Sequence, residues 1–291
     1  MDTLAKARAW AAEALKRSGM ESPDLSSDLL LGFAIGRNRV YILSHPEETL
    51  SNPAWERYRS YVLRHAKGEP IQYLTGEREF FGLDFRVTPA VLVPRPETEF
   101  LVEAAVSIIQ NKIGPNVRFL DIGTGSGCIA ISIAIENPGC SGCATDISSP
   151  ALEIAKFNAR RHKVAGRIKF IRSDLLDCFR MKPVFDLILC NPPYVAMDEY
   201  DTLACNVKDF EPHLALFGGR DGLDVFRRLI PGAASYLKPE GFLLLEIGAG
   251  QLHSVRSLLD REGFVFEDVL EDLQGIPRCL IMKKNKRSRN G

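Results

Sequence analysis

Apolar residues recur at helical spacing through the first 67 positions. Leu4, Ala7, Ala11, Ala14 and Leu15 share one face of a helix that Ser18-Gly19 stops. A second helix is expected from near Asp24, carrying Leu25, Leu29, Leu30 and Phe33 up to Gly36, and a short third spans roughly 38–43. The fourth is well punctuated: Asn52 can cap it, Pro53 suits its first turn and Gly68 ends it. Its face of Trp55, Tyr58, Val62 and Ala66 reads as core. From Glu69 the period becomes extended. Phe80-Phe81, Leu83, Phe85 and Val87 alternate around Gly82 as in a hairpin, and Val91-Leu92-Val93 follows the Thr88-Pro89 turn. Arg95-Pro96-Glu97-Thr98-Glu99 then opens a helix to about Gln110, with proline and acids where a helix start favours them.

Beyond that helix, short apolar runs alternate with helical segments. Strands are expected at 118–122, 142–146, 168–172, 185–190, 242–247, 264–270 and 279–283, and helices notably at 150–161 and 223–237. Such alternation predicts a doubly wound α/β domain, a mostly parallel sheet with helices on both faces. Ligands of such sheets sit beyond the carboxyl ends of the strands. The chain thus divides into a helical module (1–68), a linker with a β-hairpin (69–96), the α/β domain (97–284) and a basic tail (285–291).

The chain is organised around Phe119-Leu-Asp-Ile-Gly-Thr-Gly-Ser-Gly-Cys-Ile-Ala130, a buried strand, a tight turn and a helix. Glycine lets the backbone turn sharply and lets a ligand approach without a Cβ in the way. The dinucleotide fingerprint would place glycine or alanine at 128, where this chain has Cys128, and the third glycine comes early at Gly127. The resulting GxGxG form resembles the turn of S-adenosylmethionine-binding methyltransferases. Gly123, Thr124, Gly125, Ser126 and Gly127 are therefore candidate cofactor contacts. Asp146 ends the next strand about twenty residues on, where an acid can bind ribose hydroxyls. The other reading of Asp146 is a cap for the Ser148-Ser149-Pro150 helix. Asp174 follows the third strand, placed to read an adenine amino edge, with Leu175 packing the ring face.

Asn191-Pro192-Pro193-Tyr194 closes the strand at 185–190. With proline near 5% of residues, this tetrapeptide arises by chance in roughly one chain per thousand of this length. Its chemistry suits a planar –NH2 group. The Asn191 side-chain oxygen accepts one N–H, and a turn carbonyl, that of Pro192, accepts the other. The prolines offer no competing N–H and preset the backbone, which also confines Asn191. Tyr194 can lie flat against the amide or ring carrying the nitrogen. An amide nitrogen is a poor nucleophile, and two acceptors on its hydrogens raise its electron density and aim it. No strong base is needed before methyl transfer, since the proton can leave afterwards.

Composition narrows the setting. Lys plus Arg equals Asp plus Glu at 37 each, so no global charge points to nucleic acid or a membrane. No apolar run approaches the ~18 residues of a membrane span. The first helix carries Glu13 and no signal-like apolar block, and the seven cysteines lack framework spacing, so a reducing cytoplasm is expected. Cys140 and Cys143 form a lone CxxC without a second pair or a nearby histidine, which reads as small residues in a turn. The five histidines form no HExxH, and no metal site is expected.

Taken together, the motifs resemble the HemK/PrmC family, the glutamine methyltransferases of class 1 peptide chain release factors. The resemblance spans essentially the whole chain. It includes Gly68-Glu-Pro-Ile-Gln-Tyr-Leu-Thr-Gly76, Phe80-Phe-Gly-Leu-Asp-Phe85, Val93-Pro-Arg-Pro-Glu-Thr-Glu99, Glu211-Pro-His-Leu-Ala-Leu216, Gly218-Gly-Arg-Asp-Gly222 and Glu246-Ile-Gly248, beside the glycine turn and Asn191-Pro-Pro-Tyr194. It implies a Rossmann-like fold and S-adenosyl-L-methionine held by Gly123 through Gly127, Asp146, Leu175 and Asn191. It also implies a substrate glutamine held by Asn191, Pro192, Pro193 and Tyr194. Some members carry a larger aromatic where this chain has Leu175, so stacking there is weaker. The implied substrate is the glutamine of the Gly-Gly-Gln loop, with the helical domain gripping the release factor. The rival chemistry is methylation of adenine's exocyclic amine, which Asn-Pro-Pro-Tyr also serves. The N-terminal module argues against it, because its charges balance and it offers no basic aromatic groove for a flipped base. A non-catalytic binding module is disfavoured by the intact glycine turn, Asp146 and Asn191.

Overall fold

The computed structural model describes residues 3–180 and 182–286. Two compact units are distinguished, Met1–Glu77 with Ala204–Phe210, and Arg78–Leu203 with Glu211–Gly291. Of the basic tail, residues 287–291 lie outside the described residues.

The first unit contains helices α1 (Leu4–Arg17), α2 (Pro23–Ile35), α3 (Arg39–Ser44), α4 (Asn52–His65) and α5 (Ile71–Thr75). Leu4, Ala7, Ala11 and Leu15 of α1 are buried, as their spacing predicts. The core adds Leu30, Leu31, Tyr58 and Val62, each side chain of that size contributing ~1.5–3 kcal/mol on burial. Asp28, with a fully buried side chain, accepts from Arg8 and Arg39 and so ties α1, α2 and α3 together. The cap of α4 is Ser51, not Asn52. Its hydroxyl accepts from Ala54 N at 3.4 Å, while Asn52 already lies inside the first turn. Residues 69–77, read from sequence as the start of the linker, fall with this unit because Ile71 and Leu74 pack in its core.

From Arg78 the second unit holds the hairpin of β1 (Glu77–Phe80) and β2 (Leu83–Arg86), which buries Phe80 and Phe85. The helix expected from Arg95 to Gln110 is split into a 3₁₀ turn (Pro96–Thr98), α6 (Glu99–Ile108) and a π turn (Ile109–Ile113). Then come β3 (Arg118–Ile122), α7 (Cys128–Glu136), β4 (Ser141–Asp146), α8 (Ser149–Arg161), β5 (Ile168–Arg172), β6 (Phe185–Cys190), α9 (Asp224–Tyr236), β7 (Leu237–Glu246), α10 (Leu252–Arg261), β8 (Phe264–Glu271) and β9 (Pro277–Lys284). The sheet order is β5-β4-β3-β6-β7-β9-β8. The first five strands are parallel, and β9 runs antiparallel to both neighbours. The link from β8 to β9 is too short for the dozen or more residues of a parallel crossover. β7 starts five residues before the expected 242, because Pro239 and Gly241 interrupt the apolar pattern there.

Both faces of the sheet are covered. Phe119, Leu187 and Leu189 pack with Leu101 of α6 and Ile129 of α7 on one side, and Leu120, Ile122 and Ile188 with Phe226 of α9 and Val255 of α10 on the other. Successive strand residues point to opposite faces, so these strands read as continuous apolar runs. From β3 the chain winds outward to β5, and from β6 it winds the other way to β7. The topological switch therefore falls between β3 and β6, where Ile122 pairs with Cys190. Among the described residues no helix is long and apolar enough to cross a membrane.

Candidate active site

The residues that follow β3 and β6 meet at this switch. Gly123, Gly125 and Gly127 have φ of +72°, +53° and +83°, left-handed conformations that a Cβ would strain. A Cβ on Gly127 would also stand 3.2 Å from that of Ala155, so this glycine lets the turn sit against α8. The turn is held from β4. Thr145 O accepts from Gly123 N and Thr124 N, each at 2.9 Å. Asp146 accepts from Gly125 N through one oxygen and from Ser148 N through the other, both at 2.9 Å. The N-cap of α8 is Ser148, whose hydroxyl accepts from Ala151 N. Asp146 therefore clamps the glycine turn to the end of β4, and desolvation raises its pKa.

These groups border a cavity of about 300 Å³, within the range of small-molecule sites. Gly123, Thr124, Gly125, Ser126, Asp146, Asp174, Leu175, Asn191 and Pro193 line it. Gly127 does not, and neither does Pro192, which is buried. Asp174 pairs with Arg228 at 2.7 Å on the cavity wall. A small pocket of about 50 Å³ is lined by Tyr194, Asn191, Arg95 and Glu246. Asn191 lines both spaces.

Several polar groups around these cavities were not singled out from the sequence. Asn191 Nδ2 donates to Thr98 Oγ1 at 3.1 Å, and the Thr98 hydroxyl donates to Glu246 Oε2 at 2.7 Å. The Tyr194 hydroxyl donates to Glu246 Oε1 at 3.4 Å. Burial pushes Glu246 up to about 7 and raises the Tyr194 phenol. Asp121, at the floor of the glycine turn, accepts from the Thr124 hydroxyl at 2.6 Å, and burial lifts it to about 7 as well. Glu211 accepts from Val93 N and Arg95, holding the segment that leads to Thr98. The glycines of Gly218-Gly-Arg-Asp-Gly222 serve close approach: a Cβ on Gly218 would lie 2.7 Å from Pro193 O and 2.8 Å from Tyr194 Cα. Val195 pairs with this segment, donating to Leu216 O and accepting from Gly218 N at 2.9 Å each. The available signal for Glu246 was its place, an acid at the carboxyl end of a buried strand.

The model of the PrmC N-terminal domain matches residues 6–76, and that of the methyltransferase small domain matches residues 98–208. Release factor glutamine methyltransferase of Koribacter versatilis is 43% identical, covering 97% of this chain and 99% of its own. That of Moorella thermoacetica is 42% identical over 96% and 98%, and that of Nitratidesulfovibrio vulgaris 39% over 94% and 93%. The chain belongs to the release factor glutamine methyltransferase family. The fold of this family member is similar to that of the hMettl16 catalytic domain, solved in complex with an MAT2A 3'UTR hairpin. The TM-score is 0.57 at 18% identity, covering 82% of this chain and 83% of the other. A methyltransferase from Pyrococcus furiosus aligns at a TM-score of 0.52 and 20% identity, over 78% and 98%. Of the motifs that carried the resemblance to HemK/PrmC, the glycine turn, Thr98, Asn191, Pro193 and Glu246 border the two cavities at the switch point, whereas the 68–76 and 80–85 segments do not.

Proposed function

We propose that this protein methylates the side-chain amide nitrogen of the glutamine in the Gly-Gly-Gln motif of class 1 release factors, with S-adenosyl-L-methionine as donor. The observation that carries the reading is the position of Asn191, on the border between the larger cavity and the small pocket. Its Oδ1 accepts no hydrogen bond among the described residues, while its Nδ2 is engaged by Thr98.

The larger cavity suits the cofactor. No atom lies within 4 Å of where a Cβ on Gly125 would stand, so the turn presents bare backbone there. Asp146 binds one backbone N–H per oxygen, and each carboxylate oxygen keeps a further lone pair for a ribose hydroxyl. Asp174 and Leu175 border the part assigned to adenine. When bound, the cofactor supplies an electrophilic methyl on sulfonium sulfur, and the C–S electrons remain on sulfur as a neutral thioether.

The protein's own residues aim the nucleophile. Asn191 Oδ1 accepts one amide N–H, and a carbonyl of the Pro192-Pro193 turn accepts the other. Tyr194 lies beside the amide plane. The nitrogen forms the N–CH3 bond and then loses a proton to solvent. Positioning of this kind contributes several kcal/mol, up to ~7–11 in favourable cases. The helical module recognises the body of the release factor. Incubating a release factor with the enzyme and S-adenosyl-L-methionine, followed by peptide mass spectrometry, should show one methyl on the Gly-Gly-Gln glutamine. An adenine-containing oligonucleotide should gain none. Asn191→Ala should slow single-turnover transfer by about 10²–10³-fold with cofactor affinity little changed. Transfer at the wild-type rate would refute the assignment.

A further inference from the structure

Three side chains from separate elements form one hydrogen-bonded chain that starts at the Asn191 amide nitrogen. Thr98 closes the 3₁₀ turn before α6, Asn191 follows β6, and Glu246 ends β7. Thr98 and Glu246 are each 2% exposed, so their hydrogen bonds are largely shielded from solvent. The links run from Asn191 Nδ2 to Thr98 Oγ1 at 3.1 Å and from the Thr98 hydroxyl to Glu246 Oε2 at 2.7 Å.

The direction of this chain is not free. An ionised carboxylate only accepts hydrogen bonds. The single Thr98 proton must therefore point at Glu246, which leaves Thr98 lone pairs for Asn191. A carboxamide presents an oxygen edge or an NH2 edge of nearly the same shape, and only the NH2 edge satisfies that lone pair. The oxygen edge is then the one left for a substrate amide. We infer that Glu246 and Thr98 are positioning residues that hold Asn191 with its oxygen toward the substrate, so the acceptor is set from the buried end of the chain. This rests on the reading of Asn191 as the amide acceptor.

Reversal needs a donor at position 246. If Glu246 is protonated it can donate to Thr98 Oγ1, the Thr98 proton can turn to Asn191 Oδ1, and the NH2 edge swings outward. Two donors would then face each other, the Asn191 amide and the substrate amide. The groups facing Glu246 are the Tyr194 phenol, Glu97, Arg278 and the thiols of Cys128, Cys190 and Cys279. Burial outweighs the Thr98 and Tyr194 hydrogen bonds and the Arg278 charge, placing Glu246 at about 7. The productive orientation is thus populated above that pH and lost as pH falls through it.

The test is single-turnover methylation of a release factor by wild type, Asn191→Ala, Thr98→Val, Thr98→Ser and Glu246→Gln, with cofactor affinity and melting temperature measured on each. Thr98→Val keeps the shape and removes the hydroxyl, and it should slow transfer about tenfold, the worth of one net hydrogen bond in the oriented state. Thr98→Ser should restore most of that loss. Glu246→Gln should also slow transfer and abolish the fall in rate on the acid side of pH 7, with melting temperature equal or higher at pH 8. A merely structural role would instead lower melting temperature and cofactor affinity along with the rate, and would overturn the inference. So would wild-type rates in Thr98→Val, or an acid limb retained in Glu246→Gln. If wild type methylates the glutamine and Asn191→Ala does not slow it, the acceptor reading itself fails, a result distinct from an inert Thr98→Val beside an impaired Asn191→Ala.

Discussion

Asp146→Asn should weaken binding of S-adenosyl-L-methionine and of its demethylated product by the same factor. The carboxylate accepts from Gly125 N and Ser148 N at 2.9 Å each, so both oxygens are fixed toward the turn and the start of α8. Asparagine supplies only one acceptor oxygen. Its NH2 group would confront one of those N–H groups and could give a ribose hydroxyl only a donor in place of a charged acceptor. A hydrogen bond to a charged group is worth about 1.5–3 kcal/mol, which corresponds to roughly 10–150-fold in Kd. The two ligands separate the causes, because both carry the ribose while only one carries the sulfonium charge. Titration calorimetry on each, with melting curves to correct for any loosening of the Ser148 cap, gives the comparison. A loss confined to the cationic ligand would show that Asp146 acts through long-range charge. Unchanged affinity for both would reduce it to a clamp on the glycine turn.

Two further outcomes concern stability. Asp121 is lifted to about 7 by burial, so its folded state holds a proton that the unfolded chain releases near pH 4. Its contribution is fully present below that unfolded value and is lost as pH rises through about 7. In the ligand-free protein, Asp121→Asn should therefore leave denaturant stability unchanged near pH 4 and raise it at pH 8, by up to ~4 kcal/mol at 1.36 kcal/mol per pKa unit. Equal stability at pH 8 would mean that the carboxylate has a compensating partner. Gly222 has φ +73°, and a Cβ there would meet Tyr194 O and lie 2.6 Å from Gln251 Nε2. Gly222→Ala should lower stability by at least ~1–3 kcal/mol, the cost of a left-handed non-glycine residue, and slow transfer by displacing Tyr194. Wild-type melting and activity would remove the proposed role of this segment in shaping the acceptor turn.

Local sequence determined the parts. The strands at 118–122, 168–172 and 185–190 were readable to the residue, because each is a run flanked by turn-formers and its chemistry changes abruptly at the strand end. The places of the glycine turn, Asp146 and Asn191 at the carboxyl ends of β3, β4 and β6 were readable for the same reason. What the sequence did not carry was which strand ends become neighbours. Thr98, Asn191 and Glu246 are 93 and 55 positions apart in succession, and they meet only because β6 lies between β3 and β7. Glu211 reaches back 118 positions to Val93, and Gly218 lies under Pro193 and Tyr194, contacts that no local periodicity records. Sheet order is decided by burying apolar area on both faces at once, a condition on the whole chain. It alone brings the separate strand ends together and sets the buried Glu246 carboxylate behind Thr98 and Asn191.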